Sequence, residues 1–206
     1  MNAPRPHDLL WLTESAALEG VSEEWVKSQW RLALPVVVRR DVNHEGRIPV
    51  GVRGMRRDQR AAGWVNSANI KRVVTPESLA SRDRLVDSPF VSMPPVQGAI
   101  QLAMREWPWG WGITGSVGYA LATEVPVLHA DSDLDLVIRC PERVEREALL
   151  EWQRVVSQLL CRVDTQIETT HGAFALTEWL RDGRALLKTN CGPQQVIDPW
   201  AFKGEA

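Results

Sequence analysis

Asp133 and Asp135 are the residues of this 206-residue chain whose type and spacing say most about chemistry. They stand in the run Asp131-Ser-Asp-Leu-Asp-Leu136, followed by Val137 and Ile138. The apolar and β-branched neighbours predict a strand. A strand sends alternate side chains to opposite faces, so both carboxylates project the same way. Two carboxylates on one face repel each other unless positive charge lies between them. An all-oxygen pair suits a hard cation such as Mg2+, which keeps waters and shares its shell with substrate phosphates. Upstream, Gly115-Ser116 predicts a turn at the start of a short helix, where backbone N–H groups and a hydroxyl face a phosphate. Neither signal is specific alone. Most Asp-x-Asp pairs are solvated edge charges, and a Gly-Ser turn is commonplace. In a strand–turn–helix–strand order they point together to phosphoryl transfer.

Several elements must hold these groups. Trp109 to Thr114 reads as the strand that feeds the turn, and Val117 to Ala122 as the short helix after it. Arg162 to Thr169 alternates polar with apolar residues and reads as a strand carrying Asp164, Gln166 and Glu168 on one side. Laid beside the Asp133/Asp135 strand, it brings a third acid to the pair. Asp164 is the expected one and Glu168 the alternative, against the bland reading of a solvated strand edge. Lys188, in the strand pattern Leu186 to Thr189, could neutralise a triphosphate as a point charge or be an edge-strand lysine. Helical patterns run over Val96 to Glu106, from Pro141-Glu142 through Leu160, and over Ala173 to Leu180, the last ending at Asp182-Gly183. Gly192-Pro193 reads as a turn.

In the first part of the chain, Ser22-Glu23-Glu24 predicts a helix start and Pro35 its limit. Pro35 to Arg40, Asn43 to Gly46 and Ile48 to Val52 predict strand, turn and return strand. Trp64-Val65 and Ile70 to Val74 could add strand and helix, and Thr75 to Ser78 starts another short helix. Pro89, Pro94 and Pro95 bar a helix from crossing the window after Asp87, which places a domain boundary there: 1–87 as a small N-terminal α/β domain and 88–206 as the catalytic domain. Arg53, Arg56, Arg57 and Arg60 crowd one short polar stretch. They form either a solvated face or a contact for phosphate or an acidic protein, because Arg presents a fork matched to such oxyanions.

Composition narrows the classes. Hydrophobic residues make up 44 %, enough for a packed core, and the ten Trp are expected mostly in cores, with one free to stack on an adenine. No apolar run approaches a membrane span and the opening residues show no signal-peptide pattern, so no secretory leader is expected. Cys140, Cys161 and Cys191 fit free thiols in a reducing cytoplasm. His7, His44, His129 and His171 are scattered without ligand spacing. The net charge of −2 is unevenly shared: residues 1–85 hold 14 Lys and Arg against 10 Asp and Glu, the remainder 10 against 16. The basic part is too mild to argue for nucleic acid, but it suits an acidic partner or a polyphosphate.

The Gly-Ser turn followed by Asp-x-Asp resembles the signature of the nucleotidyltransferase superfamily. The ordered segments go further. They are the opening Pro6-His-Asp-Leu-Leu-Trp-Leu12, the Arg39-Arg40 pair after a valine strand, Gly115-Ser116, Ser132-Asp-Leu-Asp-Leu136, Gly172-Ala-Phe-Ala-Leu-Thr-Glu-Trp179, Gly192-Pro193 and Asp198-Pro-Trp200. Across nearly the whole chain they resemble the phosphoribosyl-dephospho-CoA transferases, the holo-acyl-carrier-protein synthases of malonate decarboxylase. The fold expected is α/β with an α+β mixed sheet, a nucleotidyltransferase-like catalytic domain preceded by the small N-terminal one. The resemblance implies that a serine of the decarboxylase's acyl carrier subunit attacks the α-phosphate of 2′-(5″-triphosphoribosyl)-3′-dephospho-CoA and expels pyrophosphate. Asp133 and Asp135 would then hold Mg2+, Asp164 would complete a metal shell or take the serine proton, and Gly115 and Ser116 would seat the triphosphate. Arg53, Arg56, Arg57 and Arg60 would steer the carrier protein. Two other readings stand beside this one: a transferase that uses ATP on another protein or small molecule, and a non-catalytic binding module that retains the fold.

Overall fold

The computed structural model describes residues 3–42 and 45–202. Asn43 and His44, read above as turn material and a scattered histidine, lie outside them. The chain divides into two compact units, residues 1–75 and 76–206. The proline window places the boundary at residue 87, but the division falls between Thr75 and Pro76. The reason is a close backbone approach: a Cβ on Gly112 would collide with Pro76, so the helix that Pro76 opens is seated on the Trp-rich strand of the second unit.

The first unit comprises β1 (Leu9–Leu12), α1 (Glu24–Gln29), β2 (Val36–Val38), β3 (Arg47–Arg53), β4 (Arg60–Asn66) and β5 (Ile70–Val74). Its five strands form an antiparallel sheet in the order β4-β3-β2-β1-β5. The expected β2–β3 hairpin is present, with Val37 opposite Gly51. Alternation explains the core: Leu10, Leu12, Val36, Val38, Val50, Val52 and Val65 are buried on one face, and Val26 of α1 packs there with Trp30. Ile70 to Val74 is a strand, as its β-branched residues favour.

The second unit comprises α2 (Pro76–Leu79), α3 (Arg82–Val86), α4 (Pro94–Ala103), β6 (Gly110–Thr114), α5 (Gly115–Thr123), β7 (Leu134–Arg139), α6 (Arg146–Val156), β8 (Val163–Glu168), β9 (Ala173–Ala175), α7 (Leu176–Asp182), β10 (Ala185–Thr189) and β11 (Gly192–Val196). Its mixed sheet runs β11-β10-β9-β8-β7-β6. β7 and β8 pair in parallel through the α6 crossover, and the other pairings are antiparallel. The architecture is thus α+β with two sheets.

Three local expectations shift. α6 begins at Arg146, not at Pro141-Glu142, and stops at Val156, so Leu159 and Leu160 lie beyond it. Ala173 to Ala175 is strand rather than the first turn of a helix. Pairing with β8, Glu168 opposite Ala173 and Gln166 opposite Ala175, overrides the helical propensity of the alanines. Gly192-Pro193 belongs to β11 and the turn is at Asn190-Cys191. A proline is tolerated there because β11 is an edge strand.

Tryptophans build the core beneath this sheet. Trp152 of α6 is fully buried, and its indole N–H donates to Thr165 Oγ1 of β8 at 3.0 Å. Trp107, Trp109 and Trp111 meet it edge-on at 4.8, 6.2 and 5.6 Å between ring centroids, geometry the ring quadrupoles favour. Phe174, Trp179 and Trp200 form a second cluster. Among the described residues, no helix is long and apolar enough to cross a membrane.

Candidate active site

β7 carries the acid pair at its N-terminal end. Asp133 immediately precedes the strand and Asp135 lies within it, both half-buried, while Leu134, Leu136 and Ile138 bury the other face. Antiparallel pairing sets Thr114 opposite Asp135, and parallel pairing sets Asp164 opposite Asp135 on the other side. Thr114, Asp135 and Asp164 therefore form one row across three neighbouring strands. Residues opposite each other share a face, so the sheet itself brings Asp164 beside the pair. Asp164 is exposed, and Arg162 Nη2 lies 3.6 Å from its carboxylate.

The chain passes from β6 into α5 with no intervening loop. Gly115 makes the corner at φ +63°, a left-handed value that a side chain resists. A Cβ at Gly115 would also collide with the Asp135 carboxylate. Only glycine satisfies both demands, and its absence of a side chain puts Asp135 directly against the N-terminal turn of α5. Thr114 Oγ1 donates to the Asp135 carbonyl at 3.3 Å and ties the corner to β7. Gly118, one turn on, lets α5 settle onto β6: its Cβ would lie 2.7 Å from the Ile113 carbonyl oxygen. The N-terminal N–H groups of a nine-residue helix thus open next to the Asp135 carboxylate. An anion alone would be favoured at the helix end and repelled by the acids, whereas a cation-bound polyphosphate satisfies both.

Two neighbours of Asp133 were not singled out from the sequence. Leu134 N–H donates to the Arg162 carbonyl at 2.8 Å, which draws the Cys161-Arg162 segment alongside the pair. Burial, and then the negative charge of Asp133, hold the Cys161 thiol above its ordinary range. The available signal was Arg162-x-Asp164: strand alternation sends both to one side, so a guanidinium accompanies the third acid.

The other candidates lie elsewhere. Glu168 is buried four residues along β8 from Asp164, about 13 Å at strand rise. There it meets Arg139 Nη1 at 3.5 Å, while Arg139 Nε donates to Glu77 at 3.0 Å. Lys188 is exposed on β10, in the same cross-sheet row as Ala173, Glu168 and Arg139, so the sheet does not bring it to the acid pair. Arg53, Arg56, Arg57 and Arg60 belong to the first unit, at the β3–β4 hairpin.

Among the described residues, no three His, Cys, Asp or Glu side chains are grouped as a ready metal cage. The pair Asp133 and Asp135 offers only oxygen donors on one face. That donor set fits a hard cation which takes one or two carboxylates and fills its shell with water and phosphate oxygens.

Comparison with known proteins gives concordant matches on both units. The model of the phosphoribosyl-dephospho-CoA transferase MdcG N-terminal domain matches residues 5–76, and that of the MdcG C-terminal domain matches residues 82–199. Among curated relatives, a Klebsiella pneumoniae phosphoribosyl-dephospho-CoA transferase is 68 % identical over 197 residues, covering 96 % of each chain. An Azotobacter vinelandii protein of the same name is 42 % identical over 200 residues, covering 96 % of this chain and 94 % of its own. One from Pseudomonas putida is 41 % identical over the full length of both. No solved structure matches.

Proposed function

Because the chain belongs to the phosphoribosyl-dephospho-CoA transferase family, we propose that it moves the phosphoribosyl-dephospho-CoA group from 2′-(5″-triphosphoribosyl)-3′-dephospho-CoA to a serine of the acyl carrier subunit of malonate decarboxylase. The serine Oγ forms a bond to the α-phosphorus. The bond from that phosphorus to the bridging oxygen of the β-phosphate breaks, and its electron pair leaves with pyrophosphate. The carrier ends with a phosphodiester, and the serine proton passes to a base.

One observation carries the reading: the side-chain-free corner at Gly115 that sets Asp135 against the start of α5. Backbone N–H groups of Gly115 and Ser116 would hold the triphosphate at the helix end. Asp133 and Asp135 would hold Mg2+, which when bound supplies Lewis-acid charge to the phosphate oxygens. Asp164 sits one strand away in register with Asp135 and is open to solvent, and it would take the serine proton. Arg162, whose Nη2 lies 3.6 Å from that carboxylate, would help aim it. The scheme needs no nucleophile from the enzyme, so the reaction is a single displacement.

Mass spectrometry of the apo-carrier subunit tests this directly. Incubation with the protein, Mg2+ and the triphosphoribosyl donor should add one phosphoribosyl-dephospho-CoA group, and ATP in place of the donor should add nothing. A carrier left unmodified by the donor, or one adenylylated from ATP, would reject the reading.

A further inference from the structure

The β3–β4 hairpin tip of the first unit is more ordered than a solvated turn requires. Gly54 N–H donates to the Gln59 carbonyl at 3.0 Å and Gln59 N–H to the Arg56 carbonyl at 3.1 Å. The Gln59 side chain accepts from Arg56 N–H at 3.0 Å, and Gln29, the last residue of α1, accepts from Met55 N–H at 3.0 Å. A Cβ at Gly54 would fall 2.5 Å from Gln59 and 2.9 Å from Trp25, so the glycine permits the tip to close onto α1. The result is a braced platform.

What the platform displays runs against solubility and local charge balance. Met55 is 87 % exposed on a segment held by four hydrogen bonds. At the neck, Arg53 and Arg60 are opposed across the two strands. Like charges directly opposite destabilise a strand pair. The four arginines do not act alike. Arg56 is engaged in two hydrogen bonds with Asp58, at 3.0 and 2.6 Å, which hold that carboxyl below its usual range and close the turn. Arg57 is exposed and makes no side-chain hydrogen bond or ion pair with another described residue. Over residues 53–60 this leaves four Arg against one Asp around an apolar knob.

We infer that this tip is the docking surface for the carrier protein, with Met55 seated in an apolar dimple on the partner and the exposed Arg57 and Arg60 facing acidic side chains around it. The inference rests on the proposed function, which makes a protein the acceptor. A protein partner matches the surface better than nucleic acid does. A flexible thioether adapts to an apolar protein site and contributes nothing toward phosphates, and the excess positive charge is small for a polyanion. Opposed charge around a small apolar centre also speeds encounter and fixes orientation, as a carrier exchanged at every turnover requires.

The test compares steady-state kinetics of Met55→Asp and Arg57→Glu with wild type, using the apo-carrier subunit at low salt. Lys71→Glu serves as control. It is an exposed charge reversal on β5, at the opposite edge of the same sheet. Each tip variant should raise the KM for the carrier about tenfold or more, the scale of a lost charge or anchor contact, with kcat and the donor KM unchanged. Lys71→Glu should match wild type within about twofold. If wild type transfers the group and the tip variants keep the wild-type carrier KM, the inference fails while the function stands. A parallel loss in donor KM would also overturn it, because that marks a general lesion. If wild type transfers nothing to the carrier, the function itself is rejected.

Discussion

Asp133 and Asp135 are held by different means, and their substitutions should separate chemistry from folding. Asn at either position keeps the shape, removes a charge and relieves the repulsion between them. Transfer should fall by about 10²–10³-fold or more, the scale of losing one preorganised electrostatic contact to a transferring group. Thermal unfolding of Asp133→Asn should be unchanged or slightly raised. Gly115→Ala makes a different prediction. The alanine must adopt φ +63° and displace the Asp135 carboxylate. It should cost about 1–3 kcal/mol in urea unfolding, as side chains do in that backbone region, and it should abolish transfer even where the protein remains folded. Wild-type activity in Gly115→Ala would show that the corner has no part in the site.

At the scale of elements, the site depends on the sheet that sets three strands in register, and two buried features pin that sheet. Arg139 is 10 % exposed between Glu77 of α2 and Glu168 of β8. Arg139→Met removes the guanidinium that both carboxylates share and should destabilise the fold by about 3–5 kcal/mol in denaturant titration. Adding Glu77→Gln and Glu168→Gln should recover part of that loss. Trp152→Ala, which empties the centre of the tryptophan cluster, should cost about 3–5 kcal/mol with the Thr165 hydroxyl left without its donor. Much of this frame was legible in the sequence. β-Branched and apolar runs showed β2, β3 and β7, alternation showed β8, and the Gly-Ser corner and acid pair were visible as motifs because their spacing is local. The strand β9 was not legible, because Ala-Phe-Ala takes its conformation from β8 and carries no period of its own. Glu168 and Lys188 could not be placed from spacing, since their positions depend on the order β10-β9-β8-β7, which is a property of the whole sheet. The Thr75/Pro76 division was likewise hidden, because the residue that decides it, Gly112, is distant in sequence from Pro76.

At the scale of the molecule, two compact units share one chain, a braced basic hairpin belonging to the first and the acid row to the second. Stability of the second unit should carry an alkaline limit. Burial pushes the Cys140 thiol up from 9.0 to about 12. The unfolded chain therefore releases this proton at lower pH than the folded chain does. The contribution is fully present below about pH 9 and is lost progressively as pH rises toward 12. Cys140→Ala should flatten that part of the stability profile measured by denaturant titration. Exposed Cys191 should react with a thiol reagent well before Cys140. The most direct measurement is a count of pyrophosphate released against carrier modified, for wild type and Asp135→Asn in parallel, with donor and Mg2+ saturating. Wild type should release one pyrophosphate per carrier serine modified, and Asp135→Asn, folded to the same degree, should do neither. Full transfer by Asp135→Asn would contradict the placement of the reaction at the start of β7.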